Sequence, residues 1–232
     1  MWCARSTSDV CDLRGGLWRG KEAVMGMVLG IVREEMPQFT LVHKAATYEV
    51  RRYGPSVIAE CSYGGHWGDS NDGRPFGMLA RYIGVFGDPQ NKKQDAIAMT
   101  APVLVTPTRE PIAMTAPVLV TAQAQADTMA FVLPASKYST VAEAPAPTDP
   151  RVRLRQLPER LQAVRTFTWS FSAAPARKHL EMLCSDLALD GWTPRRRTDG
   201  DYEWQAAGYN PPFTLPFMRR NEVLVTVEEK KV

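Results

Sequence analysis

Apolar residues recur along this chain with two different periods, and the switches between them mark out its elements. From Phe39 the period is two: Phe39, Leu41 and His43 alternate, followed by Tyr48 to Tyr53 and then Val57 to Cys61, with Gly54-Pro55 between the last two runs. Alternating runs bounded by Gly and Pro predict strands, and the Gly-Pro pair predicts a first β-hairpin. Residues 64–73 are rich in Gly, Asp, Ser and Asn and predict a loop. The period then becomes helical: Phe76, Leu79, Ala80 and Ile83 fall at i, i+3, i+4 and i+7 behind Pro75, which suits a first turn, and Gly84 and Gly87 end the segment.

The next stretch contains one phrase written twice, Ile-Ala-Met-Thr-Ala-Pro-Val-Leu-Val-Thr at 97–106 and again at 112–121. Each copy alternates as a strand does, with Ile97, Met99, Ala101, Val103 and Val105 on one side. The short, proline-containing link at 107–111 predicts that the copies are the two arms of a hairpin. Pro102 and Pro117 cannot donate a ladder hydrogen bond, which predicts an edge, a bulge or a strand end, and hence a hairpin that projects. Its apolar face needs cover, from the rest of the chain or from a ligand.

Met129 to Leu133 predicts a further strand, and 142–150 is a Pro/Ala/Thr linker. The plan then repeats. Val152 to Gln156 and Ala163 to Phe171 predict another hairpin, and Ala174 to Asp190 predicts a helix with Pro175 in its first turn, a stripe at Leu180, Leu183, Cys184 and Leu187, and Gly191 as its stop. Strands at Tyr202 to Ala206 and Glu222 to Val227 flank an aromatic, proline-rich loop, 208–217. Hairpin, helix, hairpin, repeated, predicts an α+β fold in which two similar halves, 39–134 and 151–228, pair their sheets into a distorted barrel, so 25–232 is expected to be one domain. Residues 1–24 are expected to be a poorly ordered extension.

Composition narrows the function classes. A net charge of +3, from 28 basic and 25 acidic residues, is too balanced to indicate nucleic acid, and the one dense basic run, Arg195-Arg196-Arg197, reads as a solvated turn. Cys3, Cys11, Cys61 and Cys184 have neither zinc-ligand spacing nor the density of a secreted scaffold, so reduced thiols are expected. No apolar run reaches the length of a membrane span. Residues 1–24 mix Arg5, Arg14 and Arg19 with Asp9, Asp12 and Glu22, so a cytoplasmic location is expected, with a plastid as the alternative.

Four segments, in this order, resemble the SOUL/haem-binding protein family: Tyr48-Glu49-Val50-Arg51-Arg52-Tyr53, Phe76 through Gly87, the two Ile-Ala-Met-Thr-Ala-Pro-Val copies, and Gly208-Tyr209-Asn210-Pro211-Pro212 leading to Arg220-Asn221-Glu222-Val223. The resemblance spans roughly Met25 to Glu228, and the tandem motif is most similar to plant and algal members. It implies a pseudo-twofold antiparallel barrel with two flanking helices, like GyrI-type effector-binding domains. It also implies non-covalent binding of haem or related porphyrins.

A porphyrin needs an apolar slot for its ring and polar or cationic groups at its rim. The helix edge carrying Phe76, Gly77 and Ala80, with Arg74 beside it, is one expected wall. The loop with Phe213, Leu215, Pro216 and Phe217, followed by Arg219, is the other. Each has a plainer reading, Phe76 as core and the loop as a barrel cap. Some haem-binding relatives carry methionines at the positions of Phe76 and Ala80 and an arginine at that of Gly73, and one branch carries a histidine at that of Arg52. This chain departs at all four. Of its histidines, His66, in a loop, is the candidate axial ligand or else a solvated side chain, and His179 reads as a helix flank. No Gly-x-Ser-x-Gly elbow, His-Glu-x-x-His or phosphate-cradling loop is present. The expected function is therefore a soluble tetrapyrrole carrier, buffer or sensor without catalysis. The alternatives are a protein-interaction module using the 97–121 hairpin and an enzyme on an amphipathic substrate.

Overall fold

A computed structural model describes residues 26, 28–63, 66–67, 73–85, 87–107 and 127–229. The expected extension at 1–24 and the second copy of the repeated phrase lie outside them.

Among the described residues, nine strands form one curled antiparallel sheet. They are β1 (Phe39–Lys44), β2 (Glu49–Tyr53), β3 (Ser56–Ser62), β4 (Val103–Thr106), β5 (Thr128–Val132), β6 (Arg153–Leu157), β7 (Arg160–Phe167), β8 (Trp204–Gly208) and β9 (Asn221–Thr226), in the spatial order β1-β2-β7-β9-β8-β4-β5-β3-β6. Helices α1 (Gly73–Ile83) and α2 (Ala173–Leu189) pack on this sheet and complete a pseudo-twofold α+β barrel. The repeat is visible in the pairing: β3 pairs with β5 and β5 with β4, as β7 pairs with β9 and β9 with β8, and each helix packs on the first and last strand of its set. The two sets meet along β4 and β8, where Val103 faces Gly208 and Leu104 faces Ala207.

Two of the expected hairpins do not form: β2 does not pair with β3, nor β6 with β7; β2 pairs with β7 and β3 with β6. Tyr53 opposes Arg160 and Ser56 opposes Leu157, a single register carried through both bends, so Gly54-Pro55 and Pro158-Glu159 are corners in one long two-stranded ribbon. The ribbon ties the halves together. The first repeated phrase is likewise not the arm of a projecting hairpin. Only Val103–Thr106 is a strand, and both of its edges are taken, by β5 and β8. Pro102 precedes its first residue, so the missing N–H costs the ladder nothing.

Side-chain alternation divides the interior. Val57, Ala59, Cys61, Val105, Met129, Phe131, Ala206, Val223 and Val225 pack with Leu79, Ile83, Leu180, Leu183 and Leu187 on the helix side. Ile58, Leu104, Ala130, Val132, Val164, Ala207 and Leu224 form a smaller cluster on the opposite face. Both helices end on glycines in the left-handed region, Gly84 (φ +89°) and Gly191 (φ +74°). A Cβ at Gly84 would also lie 2.7 Å from Pro89 Cγ, so this turn admits no side chain. No helix among the described residues is long and apolar enough to cross a membrane.

Candidate ligand-binding site

Over the β4–β8 seam, on the helix side, the structure leaves an open cleft of about 420 Å³. Phe76 of α1 forms one wall, and Gly208 through Phe213 with Arg219 form the other. Met99, Val103, Met129 and Phe171 line the rest. Phe76 is held edge-on against Phe131 at 5.4 Å between ring centres, and Phe171 against Trp67 at 4.8 Å. Phe171 can lie on the sheet because residue 208 is glycine; a Cβ there would stand 3.0 Å from the Phe171 ring.

The far wall is braced from behind. The Tyr209 hydroxyl donates to Glu222 Oε2 at 2.6 Å, and burial, with the Glu222 charge beside it, pushes the phenol far above its usual pKa. Glu222 is fully buried and also accepts from Arg51 and Arg220. At the rim, Arg219 donates from Nε to Thr214 O at 2.9 Å and from Nη2 to Pro212 O at 2.6 Å, pinning the loop while leaving its charge beside the opening. Phe213 is 57% exposed, an unusual state for an aromatic ring beside an apolar cleft. Glu34 contributes one carboxylate to the rim and Ser170 one hydroxyl.

The residues singled out from sequence separate here. Phe76, Phe213 and Arg219 come together. Arg74 and Gly77 do not; they line a second groove on the other side of α1, of about 960 Å³, with Arg81, Arg151 and Arg153. A helix turns about 100° per residue, so positions 74, 77 and 81 share a face that position 76 does not. Ala80 is fully buried in the core and lines no cleft. Leu215, Pro216 and Phe217 are exposed in and beside a 3-10 turn over Pro216–Met218, outside the cleft. His66 lies 3.7 Å from Asp127, and His179 stacks on Phe167 at 4.4 Å; neither lines the cleft. Sequence reasoning passed over Met99, Val103, Met129, Phe171 and Tyr209. A signal existed for two of them, since Met99 and Val103 sit on the stripe of the repeated phrase that needed cover.

A model of the SOUL heme-binding protein family matches residues 34–226. The chain belongs to that family. No curated protein matches its sequence. Among solved structures, the C-terminal domain of EcmrR superposes with a TM-score of 0.51 at 7% identity, covering 79% of this chain and 98% of that one. An uncharacterized conserved protein from Listeria innocua gives 0.50 at 9% identity, over 91% of this chain and 98% of the other. A hydrolase from the same organism, at 0.47 and 9% identity over 81% and 94%, is too distant to argue from. These likenesses are of fold alone.

The donor set in this SOUL protein's cleft suits a flat aromatic ligand. Apolar walls and two thioethers, Met99 and Met129, make up most of its lining, with one cation, Arg219, one carboxylate, Glu34, and the Ser170 hydroxyl among the polar groups. Among the described residues the cleft holds no histidine, cysteine or metal-binding cluster.

Proposed function

We propose that this protein binds haem or a related porphyrin non-covalently in the cleft between α1 and the loop after β8, as a carrier, buffer or sensor. The observation that carries this reading is the opening beside Phe76, walled by Phe171 and the exposed Phe213. Phe76, Phe171 and Val103 bury the ring, and Arg219 and Ser170 meet its carboxylates at the rim. Met99 and Met129 offer the only soft donors among the described cleft residues, so iron is held weakly. A bound iron porphyrin supplies redox and gas-binding chemistry at its metal. The protein's own residues bind, orient and shield it. Among the described residues, the hydroxyl paired with Ser170 Oγ is that of Ser172, at 3.0 Å, and not a base, which favours a non-catalytic role.

The test is a Soret titration with hemin and with protoporphyrin IX. Saturable binding at micromolar ligand is expected. Phe213 has slightly more than half of its side chain left to bury, so Phe213→Ala removes about 1–1.5 kcal/mol and weakens binding by roughly 5- to 10-fold. Absence of a saturable Soret shift in the wild-type protein refutes the reading.

A further inference from the structure

On the opposite face of the sheet from the porphyrin cleft, below the strap that precedes β1, lies a second pocket of about 330 Å³. Its walls include Leu104, Val132 and Leu224, and its polar lining includes Arg160, Gln162 and Tyr53. The charges nearby are balanced except one. Arg220 is paired with Glu222 at 2.7 Å, and Arg51 with Glu49 at 2.8 Å and Glu222 at 3.1 Å. Arg160, at the corner where β6 becomes β7, has only neutral partners among the described residues. Its Nε donates to Gln162 Oε1 at 3.3 Å, its Nη1 donates to Ser56 Oγ at 3.4 Å, and its guanidinium lies 5.3 Å from the Tyr53 ring centre.

A half-buried guanidinium without a counter-charge carries a desolvation cost that pairing with an anion would offset. Burial lowers the pKa of this group from its ordinary value, and Arg155 adds to the effect, against Tyr53. Its two hydrogen bonds are long and go to neutral acceptors, so among the described residues Nη2 and the second hydrogen of Nη1 stay available for two parallel bonds to a carboxylate.

We infer that this pocket is an anion site, and that it takes a small monocarboxylate with an apolar body, its head group on Arg160 and its chain against Leu104, Val132 and Leu224. One unpaired cation matches one negative charge, which favours a carboxylate over a phosphate dianion. The volume has room for about eleven water-sized groups at roughly 30 Å³ each, enough for a carboxylate with a chain of about eight carbons.

Calorimetric titration with sodium octanoate at fixed ionic strength tests this, with octyl phosphate and inorganic phosphate as parallel arms. Octanoate is expected to bind one per chain, with octyl phosphate no tighter and inorganic phosphate not saturable. Arg160→Met is expected to weaken octanoate at least 10-fold, and Arg160→Lys, which keeps the charge and loses the fork, several-fold. Octanoate should raise the melting temperature of the wild-type protein, and Arg160→Met should melt no lower than the ligand-free wild type, because the uncompensated charge is gone. Circular dichroism checks that each variant folds; if Arg160→Met does not, Arg160→Lys decides. No saturable octanoate binding to wild type, or equal affinity in the folded variant, overturns the assignment, and tighter binding of either phosphate overturns the carboxylate preference.

Discussion

Glu222 is the residue whose loss the structure predicts most sharply. Its carboxylate is fully buried, and Oε1 accepts from Arg220 Nη2 at 2.7 Å, Arg220 Nε at 3.1 Å and Arg51 Nη1 at 3.1 Å, while Oε2 accepts from Tyr209 at 2.6 Å. In Glu222→Gln one oxygen becomes an NH2 group, which presents hydrogens to donors and removes the charge between two guanidiniums. Removing one partner of a buried ion pair costs about 3–5 kcal/mol. The lower end applies, because Arg51 keeps Glu49 at 2.8 Å and the Arg220 side chain is 37% exposed and can recruit water. A loss of about 3 kcal/mol in urea unfolding follows, and a chain of this size loses roughly 2–4 °C per kcal/mol, so the melting temperature should fall by about 6–12 °C. Tyr209, freed of the carboxylate, should also ionise at lower pH in an ultraviolet titration. A loss below about 1 kcal/mol, with the tyrosine titration unmoved, would refute the view that this network braces the cleft wall.

Further outcomes follow from other groups. Burial holds the Cys61 thiol up at about 12 and the Cys184 thiol up at about 11, so both stay protonated at pH 8; iodoacetamide with peptide mass mapping should label them only after unfolding. Asp201 is raised by burial but lowered more by Arg177 and the Tyr202 N–H, for a net depression. Its contribution to stability is therefore complete above the ordinary carboxylate pKa of about 3.9 and is lost as pH falls through the lower folded value; Asp201→Asn should flatten the acid limb of the stability curve. With no histidine in the described cleft, hemin and protoporphyrin IX should bind within about tenfold of each other, and His66→Ala should leave the hemin Soret band unchanged.

Periodicity made the elements legible but not all their partners. The strands and both helices lie close to where alternation and the 3.6-residue stripe place them, because each buries one face against the same core. The hairpin reading of Gly54-Pro55 failed because a corner and a reversal have the same local composition. Which one forms is decided by β6 and β7, a hundred residues away, whose register runs through the bend. The same limit applies to the first repeated phrase, whose strand is claimed on both edges by β5 and β8. At the cleft, Phe76 and Phe213 were legible as bulky apolar residues beside turns. Phe171 was not, since its position depends on the missing side chain of Gly208. Arg74 and Phe76 line different grooves, because neighbours in sequence lie on different sides of a helix.

The most direct test of the central claim is an amide NMR titration of the whole chain with protoporphyrin IX. Saturating shifts concentrated at Phe76, Val103, Phe171, Gly208, Tyr209, Asn210 and Phe213 are the predicted result. Shifts confined to the groove of Arg74 and Arg81, or to the opposite face around Arg160, would contradict it.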